Sequence, residues 1–127
     1  MTPGLVSILI PVFNRPATLL EAVASALAQM SWNGVRAGRW HRAVSAATEG
    51  LALARELSQT IHVVDFLCDL TRIEAARGDV EACRAHAAEV DEVAERHGLA
   101  IVREQTRTSL GLLELGLGRP EEALRHL

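Results

Sequence analysis

"SLGLLELGLGRPEEALRHL" (residues 109–127) holds the pattern on which the fold turns. An apolar helical stretch runs into Gly118, a polar pair follows, and the next helix carries Ala123 five positions after the glycine. The same arrangement stands at "GRWHRA" (38–43) and "GDVEAC" (78–83), so the glycines recur every 40 residues. Ala43, Cys83 and Ala123 are the small residues after each glycine. Eight positions before it stand Met30, Leu70 and Leu110, followed by Ser31, Thr71 and Gly111. A register of this period is the mark of stacked helical hairpins.

The physics behind the register is local. Glycine just past a helix end takes the left-handed conformation without a Cβ penalty. Asp79 is expected to cap the helix after Gly78, Pro120 suits a first turn, and "LSQT" before Ile61 makes Thr60 a candidate cap. Helices are expected at about 17–37, 39–57, 60–77, 79–97, 100–117 and 119–127, with a further glycine stop at Gly98. The second carries the apolar stripe Ala43, Ala46, Ala47, Gly50, Leu51, Ala54 and Leu57; the fourth carries Val80, Cys83, Ala87, Val90, Val93 and Ala94. The fifth is apolar almost all round, which predicts burial on both sides. The expected fold is all-α: antiparallel hairpins stacked as a superhelix over residues 17–127, preceded by an orphan strand or extended segment over residues 1–16. A solenoid ends on a polar capping element. Leu124 and Leu127 do not supply one, so the sequence is expected to be truncated at its C-terminus.

Composition agrees with packed helices. Of 127 residues, 49% are hydrophobic, 23% charged and only 3% aromatic, so small side chains must fill the core. All 13 basic residues are Arg, a bias expected of GC-rich bacterial coding sequence. Net charge is −3 with both signs interspersed, which argues against nonspecific nucleic-acid binding. Two cysteines, Cys68 and Cys83, make no disulfide framework, so a cytoplasmic location is expected. The apolar run Leu5–Phe13 is too short to span a bilayer and lacks the basic leader of a signal peptide.

Residues 27–127 resemble tetratricopeptide-type helical repeats. The resemblance rests on Leu110, Gly111, Gly118 and Ala123 in the last turn, and on Gly38, Trp40 and Ala43 in "AGRWHRAVSAATEGLALAREL". The long period and the wording of that segment are similar to the repeats of large ATP-binding LuxR-type bacterial regulators. Gly34, Glu74 and Glu114 depart from the motif, standing where an aromatic is usual. The resemblance implies a scaffold that binds a protein or peptide on the concave face formed by the first helix of each pair. Asp65, Asp69, Arg72, Arg103 and Arg107 are expected to supply the exposed polar groups there.

Residues 5–29, "LVSILIPVFNRPATLLEAVASALAQ", resemble the opening strand and helix of family 2 glycosyltransferases. That resemblance implies nucleotide contacts at Pro11, Phe13, Asn14 and Arg15. Neither the "DDGS" turn nor an Asp-x-Asp motif follows, and without those carboxylates nothing holds the divalent ion that neutralises a leaving diphosphate. A complete glycosyltransferase is excluded. A truncated or chimeric segment with residual nucleotide-sugar binding and no catalysis stays open as the alternative. The change of family near residue 28 also permits a fusion or misread frame with no evolved function. The β-branched run Val6–Phe13 has no second strand to pair with, so pairing with its copy in a homodimer is a further expectation.

No residue set completes a catalytic or metal site in the sequence. His41, His62, His86, His97 and His126 lack ligand spacing and read as solvated surface groups. Cys83 reads as a small core residue. Asp65 and Asp69, one helical turn apart with Arg72 beyond, read as a charged face rather than an acid–base pair. The phosphate-cradling glycine-rich motif needs a Lys that this chain lacks. No metal, cofactor, membrane or nucleic-acid partner is expected.

Overall fold

Four glycines at positive φ end four of the helices: Gly38 (72°), Gly78 (76°), Gly98 (67°) and Gly118 (72°). In the computed structural model, which describes residues 16–127, they and the turn at Ser58 separate six helices. These are α1 (Pro16–Arg36), α2 (Trp40–Glu56), α3 (Thr60–Arg77), α4 (Val80–His97), α5 (Ala100–Gly116) and α6 (Pro120–His126). The described residues are all helix and turn, with no strand among them. The segments read as strand and homodimer contact (Val6–Phe13) and as nucleotide contacts (Pro11, Phe13, Asn14, Arg15) lie outside the described residues. None of the six helices is long and apolar enough to cross a membrane.

Every turn closes in the same way. The amide after the left-handed residue bonds a carbonyl five positions back: Arg39 to Gly34 (2.8 Å), Asp79 to Glu74 (2.9 Å) and Arg119 to Glu114 (2.8 Å). Gln59 to Ala54 and Leu99 to Ala94, both 2.9 Å, complete the set. This is the Schellman closure, which satisfies carbonyls that a helix end leaves open. At the α2–α3 turn the left-handed position is Ser58 (φ 54°), so that turn works without glycine. The sequence had no signal for it beyond polarity.

Side-chain caps are absent from the described helix starts. Asp79 is the N-cap of α4 but makes no capping hydrogen bond, and Gln59, not Thr60, precedes α3. Both cap expectations are corrected: the Schellman closures already fix chain direction at these turns. Pro120 does open α6 as expected.

The small crossing residues are the tightest points of the core. Ala43 and Cys83 are fully buried and Ala123 is 1% exposed. A Cβ on Gly34 would stand 2.9 Å from that of Ala43, so α1 and α2 touch almost backbone to backbone. Each helix packs on the next in sequence, and α1 also packs on α3 and α3 on α5. The largest buried group collects Leu27, Ala46, Ala47, Ala54, Phe66 and Leu70 from the first three helices. A second gathers Val64, Leu67, Cys68 and Val90, and a third joins Ala75, Cys83 and Leu113.

Register position does not fix burial, and one apolar expectation needs correction. Met30 shares a register position with buried Leu70 (5% exposed) yet is itself 58% exposed. Helix α5 is not buried all round: Leu113 and Gly111 face inward, whereas Leu112 and Leu115 are about half exposed. Its described neighbours α3, α4 and α6 leave that outer face uncovered.

Candidate functional site

Helices α1 and α3 run side by side, and the seam between them opens into a groove of about 450 Å³. Ser25, Ala28, Gln29 and Trp32 stand at helical three- and four-residue spacing on α1 and form one wall. His62, Asp65, Asp69 and Arg72 do the same on α3, with Cys68 in the floor and Gln105 reaching in from α5. The helical period therefore gathers two carboxylates, a guanidinium, an indole, an imidazole and two carboxamides into one concave strip.

Asp69 is the most buried of the charged groups in this strip, at 6% exposure. The Ser31 hydroxyl donates to its Oδ2 at 2.6 Å, and no donor among the described residues reaches Oδ1. Burial pushes the Asp69 carboxyl above its ordinary range, while the Ser31 hydrogen bond and the charge of Arg72 pull back less strongly. Asp65 at the groove mouth is raised by desolvation too, with His62 opposing. Among the described residues, no ion pair includes Asp65, Asp69 or Arg72. Arg72 instead lies over the Trp32 ring, 5.5 Å from its centroid, with Arg36 at 5.8 Å. The Ser25 hydroxyl and His62 Nε2 are 3.3 Å apart across the seam. The Cys68 thiol is pushed up to about 11, chiefly by burial, so at neutral pH it is a protonated wall rather than a nucleophile.

The titration of Asp69 has a sign that can be checked. Its folded carboxyl holds a proton more tightly than in the unfolded chain. The stability that proton brings is present at acid pH and is lost as pH rises from about 4 through the raised folded value. Asp69→Asn keeps an acceptor for Ser31 and removes the buried charge. The variant is expected to melt above the parent at pH 7, with the gap narrowing as pH falls toward 4. Thermal unfolding followed by circular dichroism checks this; a gap that widens in acid contradicts it.

Compared with protein-family models, curated proteins and solved structures, the chain gives no match. The site is therefore read from its own geometry.

Of the five expected partner-binding residues, the structure brings Asp65, Asp69 and Arg72 together in the groove. Asp69 is corrected from an exposed to a buried group. Arg103 and Arg107 do not line the groove: Arg103 lies 3.7 Å from Asp91 of α4, and Arg107 the same distance from Glu104 on its own helix. Helix α5 contributes Gln105, on a different face from either arginine. Sequence reasoning did not single out Trp32, Gln29 and Ser25, although the helix expected at about 17–37 contains them. The period of α1 against that of α3 held the signal.

The histidines are corrected in part. His62 and His86 are half-buried, and His86 Nδ1 stands 2.8 Å from Glu74 Oε1. Glu74 and Glu114, two of the three departures from the repeat motif, both work as acceptors, Glu74 part-buried and Glu114 buried. Glu114, with a side chain 5% exposed, takes the Arg84 guanidinium at 2.6 Å and has Arg119 at 3.8 Å. Glu114, Arg84 and Arg119 line a second cleft of about 590 Å³ between α4, α5 and α6, with Asp91, Glu122 and His126. It is larger than the groove, but its charges already answer one another. Among the described residues, no cluster of three His, Cys, Asp or Glu side chains is placed to hold a metal ion.

Proposed function

We propose that this chain is a non-enzymatic helical-repeat module that binds a protein or peptide partner along the α1–α3–α5 groove. It would act as an interaction segment of a cytoplasmic bacterial regulator. The observation that carries the reading is the groove itself: a concave strip built by alternate helices, polar, part-desolvated and without internal charge pairing. The packing order supports it, since contacts between α1 and α3 and between α3 and α5 are what a stacked array of hairpins requires. Helical arrays bind extended or helical segments in such strips, with backbone and side-chain polar groups supplying register.

The test is selection of a displayed random peptide library on the intact chain and on an Ala28→Trp variant, whose indole fills the groove. Peptides enriched on the parent and lost on the variant support the reading. Enrichment that survives Ala28→Trp, or none at all, sinks it.

A further inference from the structure

The charge ledger of the groove is unbalanced in a way that specifies its guest. Three formally charged side chains line it, Asp65, Asp69 and Arg72. Two are carboxylates, one turn apart on the same face of α3, so a single group can meet both. The remaining polar lining, Ser25, Gln29, His62 and Gln105, brings no fixed charge. Arg72, the one arginine in the lining, is held over Trp32 instead of forming an ion pair with either acid, and Arg36, outside the lining, shares that ring. The other buried carboxylate among the described residues, Glu114, has Arg84 at 2.6 Å. Asp69 is as buried as Glu114 and has only the Ser31 hydroxyl. A part-desolvated carboxylate without a counter-charge is an unfavourable arrangement. Among the described residues no cation closes on Asp69 as an ion pair.

We propose that the groove takes a basic side chain of the partner, an arginine or lysine whose cation sits between Asp65 and Asp69 with the Trp32 indole alongside. This rests on the groove-binding reading above and names the chemistry of its guest. Trp32 is 40% exposed, so it retains surface for an incoming cation beyond the parts that Arg72 and Arg36 cover. The raised carboxyls at both positions fit the same account, because a bound cation would return each to its ionised form. Arg72 then acts as a place-holder on the indole, displaced or slid aside by the guest.

Trp32 reports the event directly. The chain has two tryptophans, so Trp40→Phe leaves Trp32 as the sole indole. The probes are three capped pentapeptides, alike except for a central arginine, citrulline or glutamate. Citrulline matches arginine in shape and lacks its charge. The arginine peptide is expected to shift Trp32 emission saturably, with citrulline at least about tenfold weaker and glutamate silent. Asp65→Asn with Asp69→Asn, checked for helicity, is expected to bring arginine down to the citrulline level. Arg72→Gln is expected to tighten the arginine peptide, since it removes the competing cation. Equal binding of arginine and citrulline, preference for glutamate, or weakening by Arg72→Gln would each overturn the proposal. So would a saturable response to calcium chloride in place of the arginine peptide. The two readings fail separately: library peptides that need an open groove but carry no basic residue leave the binding reading standing and remove this one.

Discussion

Phe66→Ala is expected to lower the unfolding free energy by about 3–5 kcal/mol, toward the upper end of that range. Phe66 has no exposed surface and sits in the group formed with Leu27, Ala46, Ala47, Ala54 and Leu70. The cost of a large-to-small change depends on whether neighbours can fill the space. Here most cannot. Three of them are alanines, which have no rotamer to swing, and Gly50 beneath the ring has no side chain at all. A domain of this size has a total stability of about 5–15 kcal/mol, so the variant should melt ~15 °C or more below the parent. Urea unfolding measures the loss. A fall under about 1 kcal/mol would mean that the first three helices collapse onto one another without the ring.

Gly50→Ala tests the same contact from the opposite side, and two effects compete. Glycine inside a helix is about 1 kcal/mol worse than alanine, so propensity alone favours the substitution. Packing opposes it. A Cβ at Gly50 would stand 2.2 Å from Phe66 Cζ, 2.5 Å from Cε1 and 2.7 Å from Cε2. The ring is enclosed and cannot turn away, so either it or the helix α2 must shift. Overpacking of that kind costs about 1–3 kcal/mol, and at these distances the upper figure applies. The net expectation is a loss of about 2 kcal/mol by urea unfolding. In a Phe66→Leu background the same Gly50→Ala change should become neutral or stabilising. Residues in direct contact couple in this way, whereas distant ones add. A stabilising Gly50→Ala in the parent chain would contradict the packing described.

That contact also shows where reading the sequence reaches its limit. Gly50 belongs to an apolar stripe whose period was plain, so its inward orientation followed from the 3.6-residue repeat. Its partner did not, because the approach of a ring to a helix backbone is set by helix crossing and not by either helix alone. The turns were legible for a related reason: a left-handed residue is a local demand, and glycine meets it at Gly38, Gly78, Gly98 and Gly118. Ser58 meets the same demand without glycine and gave no sign. Caps at Asp79 and Thr60 were over-read, since a competent side chain does not bond where the preceding turn already fixes the chain. For the groove, Asp65, Asp69 and Arg72 were visible as one face of α3. The other wall, Trp32, Gln29 and Ser25, was not, because which face of α1 meets α3 is set by their crossing and not by the pattern within α1. Burial of Asp69 depends on Ser31, 38 positions away, and no pattern within α3 encodes that bond.

The Ser31–Asp69 bond has a consequence for how the molecule breathes. It fastens α1 to a helix that is not its neighbour in sequence, across the seam whose walls make the groove. Among the described helices α1 packs on α2 and α3, whereas α3 packs on α1, α2, α4 and α5, so α1 opens at lower free energy. When α1 swings off α3, Asp69 regains water and the groove loses one wall in the same motion. A guest held between the walls must then leave before α1 can detach. On the binding proposed above, occupancy and the closing of α1 become a single equilibrium, and the guest serves as the latch of that helix.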